Sequence, residues 1–285
     1  MTRKIVFSGD LGQCDTPILN DPAVIEETDH VIIESTYGNR THRDQARTIR
    51  EIGEIISAAA HQKGNLLIPA FAVGRSQEIL YFLGKYYDEW GLDHWQVFLD
   101  SPMGIRASKV YWEYPHLYDE EATRLRSKVN EMPKLKGLNI TTSVEDSIAI
   151  NEIKSGAIII SASGMCTGGR VVHHLKNNIS REGAHIMIVG YQANGTLGRK
   201  LVDGDTEVKI HGDYYPVRAK IHTVGGLSAH GDIDDLTRWI SSFKNQPAVH
   251  VVHGEQQAKE DFCSHLEKDL GFKADVPEMG EILEL

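Results

Sequence analysis

The sequence predicts an α/β protein built mainly on parallel strands. Short apolar runs alternate with amphipathic stretches along the chain, which is the pattern of strands covered by helices. Three strand–loop–helix units stand out between residues 66 and 200, and a fourth closes the chain. Glycine-rich segments fall between the end of a strand and the start of a helix in several of them.

Taken in order, residues 4–8 read as a strand, followed at once by Gly9-Asp10-Leu11-Gly12. A domain that begins inside a core strand is unusual, so Met1 is read as a truncation or an internal start. Residues 29–34 read as a buried strand. A helix is predicted from Asp44 to about His61, with Ile49, Ile52, Ile55 and Ile56 on one face. The three units follow. Residues 66–69 lead through 70–74 to a helix from Arg75. Residues 157–161 lead through Ser163-Gly164-Met165-Cys166-Thr167-Gly168-Gly169 to a helix from Arg170. Residues 185–189 lead through 190–195 to a helix from about Thr196. Residues 206–210 and 217–222 alternate polar and apolar and are expected to pair as a hairpin across Gly212-Asp213-Tyr214-Tyr215. Ser228-Ala229-His230-Gly231-Asp232, a helix to about Phe243, a strand at 249–252, His253-Gly254-Glu255 and a last helix complete the chain.

The chain has 285 residues, 41% of them hydrophobic, which suffices for one large core or two ordinary ones. Its net charge of −10 argues against a generally basic surface for nucleic acid but leaves room for a local basic cleft. Cys14, Cys166 and Cys263 are far apart and form no C-x-x-C pair, so neither a disulfide framework nor a cysteine zinc knuckle is expected. The start carries no signal peptide, and no apolar run reaches the roughly 18 residues that cross a bilayer. A cytoplasmic protein with no membrane partner is the default expectation.

Four side chains sit where strands end or helices begin: Asp10, Glu34, His230 and His253. In a parallel βα arrangement those positions share one rim, where such proteins bind ligands. A carboxylate such as Asp10 can bridge two cations, and a neutral imidazole such as His253 binds zinc. A histidine off the metal can deliver a proton to a leaving oxygen while a carboxylate orients its ring, which suits His230 with Glu34. Each has a plainer reading. A lone Asp after a strand is usually a turn residue, a strand-end Glu is usually solvated or paired, a lone His before a helix is usually structural, and Asp232 reads as a helix cap.

Arg75, Arg170 and Arg199 fall at or near the first turns of their helices. A cation there opposes the helix dipole, so an anion is expected nearby, either a protein carboxylate or a ligand phosphate. Thr167-Gly168-Gly169-Arg170 is the best phosphate candidate. His173-His174 lacks the spacing of a metal pair.

Several segments resemble a known family. Phe7-Ser8-Gly9-Asp10-Leu11-Gly12 resembles the fourth metallo-β-lactamase motif, and Glu34-Ser35-Thr36-Tyr37-Gly38 the first β-CASP motif. Ser228-Ala229-His230-Gly231-Asp232 and Val252-His253-Gly254-Glu255 resemble the second and third. Pro69-Ala70-Phe71-Ala72-Val73-Gly74-Arg75, Asp100-Ser101-Pro102-Met103 and Gly164-Met165 with Gly168-Gly169-Arg170 also match β-CASP segments, in order along essentially the whole chain. The resemblance implies a zinc-dependent ribonuclease of RNA processing or decay, related to the cleavage and polyadenylation endonuclease. It implies two zinc ions, Asp10 as bridging ligand, His253 as terminal ligand, and Glu34 with His230 as the proton-donating pair. A histidine in the third motif points to the RNA-processing branch. Ser228, Gly164, Thr167, Gly168, Gly169, Arg170 and Arg75 would hold RNA phosphates, with RNA in a cleft between two domains.

The implied fold is an incomplete metallo-β-lactamase αββα sandwich (residues 1–38 and 225–285) with an inserted Rossmann-like β-CASP domain at 39–224. The family's upstream H-x-H-x-D-H segment and a further His are absent from this sequence. Asp10 and His253 alone fall short of the three or four ligands of a zinc site, so weak or absent metal binding is expected. A half-built core also leaves apolar surface for a homodimer. The alternative is a non-catalytic RNA-binding or scaffold subunit. A Rossmann-type nucleotide enzyme is weaker still, since no G-x-G-x-x-G opens a helix in the first βαβ unit.

Overall fold

The computed structural model describes residues 2–127, 135 and 137–283; Met1, with the reading placed on it, lies outside them. The elements in chain order begin with strands β1 (Ile5–Phe7) and β2 (His30–Glu34), helix α1 (Gln45–His61), β3 (Leu66–Pro69), α2 (Arg75–Lys85), β4 (Gln96–Leu99), α3 (Pro102–Glu113) and α4 (Glu120–Ser127). There follow β5 (Leu138–Ile140), α5 (Val144–Ile150), β6 (Ala157–Ser161), α6 (Arg170–Asn178), β7 (His185–Ile188), α7 (Leu197–Asp203), β8 (Glu207–Ile210) and β9 (Asp213–Pro216). The chain ends with β10 (Lys220–Thr223), α8 (Ile233–Ile240), β11 (Ala248–Val252), α9 (Gln256–Lys268) and β12 (Ala274–Asp275). The mixed α/β class with parallel sheets stands as the sequence predicts.

The chain divides into two compact units. The first comprises Met1–Thr16, Asn20–His42 and Ser228–Leu285; the second comprises Pro17–Leu19 and Arg43–Leu227. The first unit holds a parallel sheet in the order β1-β2-β11-β12. Val31, Ile33, Val249 and Val251 project from its central strands into a core with Leu236, Trp239 and Ile240 of α8 and Phe262 and Leu266 of α9. Helix α8 starts cleanly because Asp232 accepts hydrogen bonds from the Asp234 and Asp235 N–H groups while the Asp235 carboxylate accepts from Asp232 N–H. Such a reciprocal cap satisfies donors that the first turn leaves unpaired.

The second unit holds a six-stranded parallel sheet, β10-β7-β3-β6-β4-β5. Its central strands β3, β6 and β7 are mostly apolar and fully buried, as strands covered on both faces must be. Alternation along each strand divides them between two cores. Leu66, Ile68, Ile158 and Ile160 face Ile52, Ile55 and Ile56 of α1 and Ile79 and Leu83 of α2. Leu67, Ile159, Ile186 and Ile188 face Val171 and Leu175 of α6 and Leu201 of α7. Each buried Leu or Ile stabilises the fold by about 1.5–3 kcal/mol, so this layering dominates the energetics of the unit. Helix α1 begins where predicted, with Asp44 accepting from Arg47 N–H. Ile49 lies at the edge of its buried face, not in it.

One expected pairing is corrected. The hairpin joins β8 to β9 through His211-Gly212, and residues 220–223 leave it to pair in parallel with β7. His211 and Gly212 have φ of 51° and 97°, the two positive values of the tight turn whose twist matches a hairpin. The loop predicted at 212–215 is thus mostly strand. Strands β4 and β5 and helices α3 and α5 carried no clear periodic signal and were not anticipated.

Between β7 and β10, His185 is completely buried, with Nδ1 2.9 Å from His222 Nε2 and Nε2 3.2 Å from Gln62 Oε1. Burial, with the charges of His222 and Lys220, pushes His185 down to about 4 from an ordinary 6.5. Burial and Lys220 lower His222 as well, with Glu51 opposing. The unfolded chain takes up a proton near pH 6.5 that the folded chain refuses until about pH 4, so stability falls as pH drops through that window. Urea midpoints at pH 7 and pH 5 will show this loss, and His185→Gln will flatten it. An unchanged pH slope in the variant would assign the loss to other groups.

Candidate active site

Strand β2 ends on Glu34, whose carboxylate is 2% exposed. Burying a charge is costly unless every lone pair finds a donor. Leu11 N–H donates to Oε1 at 2.7 Å, and the Thr36 hydroxyl and N–H donate to Oε2 at 2.6 and 3.2 Å. His230 Nδ1 lies 3.0 Å from both oxygens. Burial pushes the Glu34 pKa up, but the bonds from His230 and Thr36, the His230 charge and the Leu11 amide pull it below the ordinary carboxylate value.

The partner ring is shifted the other way. The hydrogen bond to Glu34 raises the His230 pKa, burial opposes it, and the charges of Glu34 and Asp10 add to the rise. The turn that carries His230 is fixed on several sides. Its N–H donates to Ser228 Oγ at 3.1 Å, its carbonyl lies 2.9 Å from His42 Nε2, and Gly231 N–H donates to the Leu11 carbonyl. A Cβ at Gly231 would meet Asp235 Cβ at 2.8 Å, so only glycine fits this turn. With Nδ1 held by Glu34, Nε2 is the nitrogen left to act on a ligand.

Asp10 and His253 complete the group, and both are more than half exposed. Ligand atoms of Asp10, His230 and His253 lie within 4.8 Å of one another. The His253 ring stacks on His230 with centroids 5.7 Å apart, and its Nδ1 lies 3.2 Å from Thr36 Oγ1. His253 has a φ of 46°, a left-handed conformation that glycine adopts freely and other residues hold at a cost of about 1–3 kcal/mol. Ser35 N–H donates to its carbonyl at 3.0 Å and helps hold it there. Oxygen and imidazole donors fit zinc in kind. The four residues singled out from the sequence therefore converge within one unit. Thr36, which touches Glu34, His230 and His253, was missed as a site residue. Its signal was only its place two residues after Glu34.

The arginines tell a different story. Arg170 donates to Asp100 Oδ1 at 2.6 Å and to the Thr141 and Thr142 carbonyls at 3.0 and 3.2 Å. Arg75, nearly buried, pairs with Glu78, and Arg199 with Asp203 at 2.9 Å. The anion that each helix-start arginine needs is a protein carboxylate in all three cases. Asp100 is completely buried and also meets His174 and Ser147, each at 2.6 Å. Burial raises its pKa, but bonds from His174, Ser147 and Arg170 bring it below the ordinary value. Gly164 has a packing reason as well, since a Cβ there would meet the Phe71 ring at 3.0 Å. Thr167 is exposed, with its N–H donating to Ser163 Oγ at 3.1 Å, and a Cβ on Gly168 would meet nothing within 4 Å. Gly169 has a φ of 78° and caps α6 without a side-chain bond.

Comparison with known proteins matches this layout. Residues 76–201 match the Beta-Casp domain family, and residues 214–277 match the Zn-dependent metallo-hydrolase RNA specificity domain. Residues 76–201 therefore belong to the Beta-Casp domain family, and residues 214–277 to that of the metallo-hydrolase RNA specificity domain. It is 38% identical over 257 residues to Ribonuclease TTHA0252 of Thermus thermophilus, covering 90% of this chain and 58% of that protein. It is 32% identical to an RNase J-like protein of Methanocaldococcus jannaschii, covering 99% of this chain and 65% of the relative. Transcription termination factor FttA of the same archaeon is 31% identical, covering 91% of this chain and 42% of that protein. The chain thus spans about three fifths of the first two relatives. The zinc dependence of the matched family agrees with the kind of donors gathered at Asp10 and His253. Among the described residues, no helix is long and apolar enough to cross a membrane.

The Asp100 network yields a stability prediction. Asp100→Ala leaves Arg170 with two carbonyls and no counter-charge, and it strips His174 Nε2 of its partner in the core, where only the Nδ1 contact with Asn151 Oδ1 remains. Unfolding by urea will show a loss of about 3–5 kcal/mol, the range for breaking a buried pair from one side. A loss under about 1 kcal/mol would mean that the pair does not anchor α6.

Proposed function

We propose that this chain serves in zinc-dependent hydrolysis of RNA phosphodiester bonds, in RNA processing or decay, with His230 as the general acid. The observation that carries the reading is the Glu34–His230 pair: a buried carboxylate held charged against an imidazole whose pKa it raises. The raised pKa favours the protonated ring, and Nε2 is the nitrogen from which a departing 3′ oxygen can take the proton. Glu34 stays ionised and orients the ring through Nδ1. Thr36 fixes both, and Ser228 shapes the turn that carries the acid.

Asp10 and His253 are the residues that would hold zinc. When bound, zinc supplies Lewis acidity toward a phosphoryl oxygen and lowers the pKa of a nucleophilic water. In the acid role His230 carries its proton on Nε2 and gives no lone pair to a metal, which leaves Asp10 and His253 as donors where a zinc site normally has three or four. We therefore infer weak holding by these residues alone, with the two-ion site depending on the H-x-H-x-D-H segment that the family resemblance implies. Residues 39–224 are read as the β-CASP insert, with 1–38 and 225–285 as the flanking hydrolase segments. RNA phosphates are expected on Ser228 and on the Thr167-Gly168-Gly169 loop, while Arg170 and Arg75 have their charges taken by Asp100 and Glu78 and Gly164 packs on Phe71.

One specific observation favours a second reading, a non-catalytic RNA-binding subunit: of the three clustered metal donors, His230 already spends its Nδ1 on the Glu34 carboxylate. A single experiment decides between them. Cleavage of a labelled RNA is measured with zinc present, in this chain and in the chain joined to an H-x-H-x-D-H segment, alongside zinc analysis of both proteins. The joined protein cleaves, and His230→Ala slows it by about 10²–10⁴-fold. Full rate in the variant would remove His230 from the acid role, and RNA binding with no cleavage in either protein would select the second reading.

A further inference from the structure

A cavity of about 620 Å³ opens in the second unit. Its floor is the Thr167-Gly168-Gly169 loop at the start of α6, and its walls are the start of α7 and the β8–β9 hairpin. Lys200, Lys209, His173 and His211 line it, and no Asp or Glu is among the lining residues. In a chain with 40 acidic and 30 basic residues, a lining with cations only runs against the composition. The ion pairs of the described lysines are made by Lys85 and Lys244, not by these two. Lys209 Nζ lies over the Tyr214 ring at 5.6 Å, and the His173 and His211 rings face each other with centroids 4.6 Å apart. Like groups gathered without a counter-charge repel, and an anion between them removes that cost. Helix α6 adds its positive end: its cap Gly169 supplies no side-chain acceptor, and the Val171 and Val172 amides turn back to the Ala162 and Gly169 carbonyls. Gly168 lines the cavity, and a Cβ there would meet nothing within 4 Å. The volume is far larger than a bare phosphate needs and falls in the usual range for small-ligand sites.

We propose that this cavity binds the phosphate of a nucleotide-sized ligand, either a free nucleotide or a nucleotide unit within an RNA strand. The strand as a source rests on the RNA reading above; the phosphate chemistry does not. Calorimetry on the full chain in metal-chelating buffer, with adenosine monophosphate and with adenosine, tests the chemistry. Fluorescence anisotropy with an unphosphorylated decaribonucleotide tests the source. The monophosphate binds and adenosine does not. Lys200→Glu with Lys209→Glu weakens binding by about tenfold or more, since two charge-assisted contacts become repulsive. Gly168→Val, whose side chain enters open space, weakens it also while the thermal midpoint stays near that of the parent. Oligonucleotide binding with the same dependence on these residues assigns the site to a strand, and monophosphate binding alone assigns it to a free nucleotide. His230→Ala leaves the binding intact, so a chain that proves inactive as a nuclease still reports on the cavity. Equal binding of adenosine and its monophosphate, or unchanged affinity in the double variant, would overturn the proposal.

Discussion

The first unit is organised around the burial of one negative charge. Glu34 sits at the end of a core strand with almost no access to water, and four donor groups from three segments are spent on keeping it ionised. That requirement fixes the Gly9–Gly12 turn through the Leu11 amide, the 34–36 corner through Thr36, and the 228–231 turn through His230. Asp10 and His253 are placed as a consequence, because each lies next to an element that Glu34 has already positioned. The strained backbone at His253 persists because the surrounding turns over-determine it.

The second unit follows a different logic. The central strands of its six-stranded parallel sheet are covered on both faces, so most of the polar groups that matter sit at strand ends and helix starts. There the arginines are anchored by carboxylates, and the glycine-rich loop between β6 and α6 is held by backbone and hydroxyl bonds. A frame braced in this way can present loop amides and nearby lysines to an anion without first rearranging, which lowers the cost of binding.

Much of this was legible in the sequence. The strands at 66–69 and 157–161 and the helices that follow them announced themselves by apolar runs bounded by glycine, and Asp10, Glu34, His230 and His253 by their place at run ends. The hairpin was misread because Tyr214 and Tyr215 alternate too briefly to outweigh the longer run at 217–222. The two-residue turn at His211-Gly212 was the better signal. Asp100 was invisible as an anchor, since its partners Ser147, Arg170 and His174 are 47, 70 and 74 residues away. Long-range pairing of this kind leaves no local pattern. The arginine argument correctly demanded an anion, but charge alone did not say whether protein or ligand would supply it.

The account stands or falls on the coupling between Glu34 and His230. The direct measurement is a titration of the His230 ring by nuclear magnetic resonance in metal-free protein, for the parent chain and for Glu34→Gln. The account predicts a pKa above the ordinary 6.5 in the parent and a clear fall in the variant, because the bond and charge of Glu34 are what raise it. A value at or below 6.5 in the parent, or no change on replacing Glu34, would contradict it.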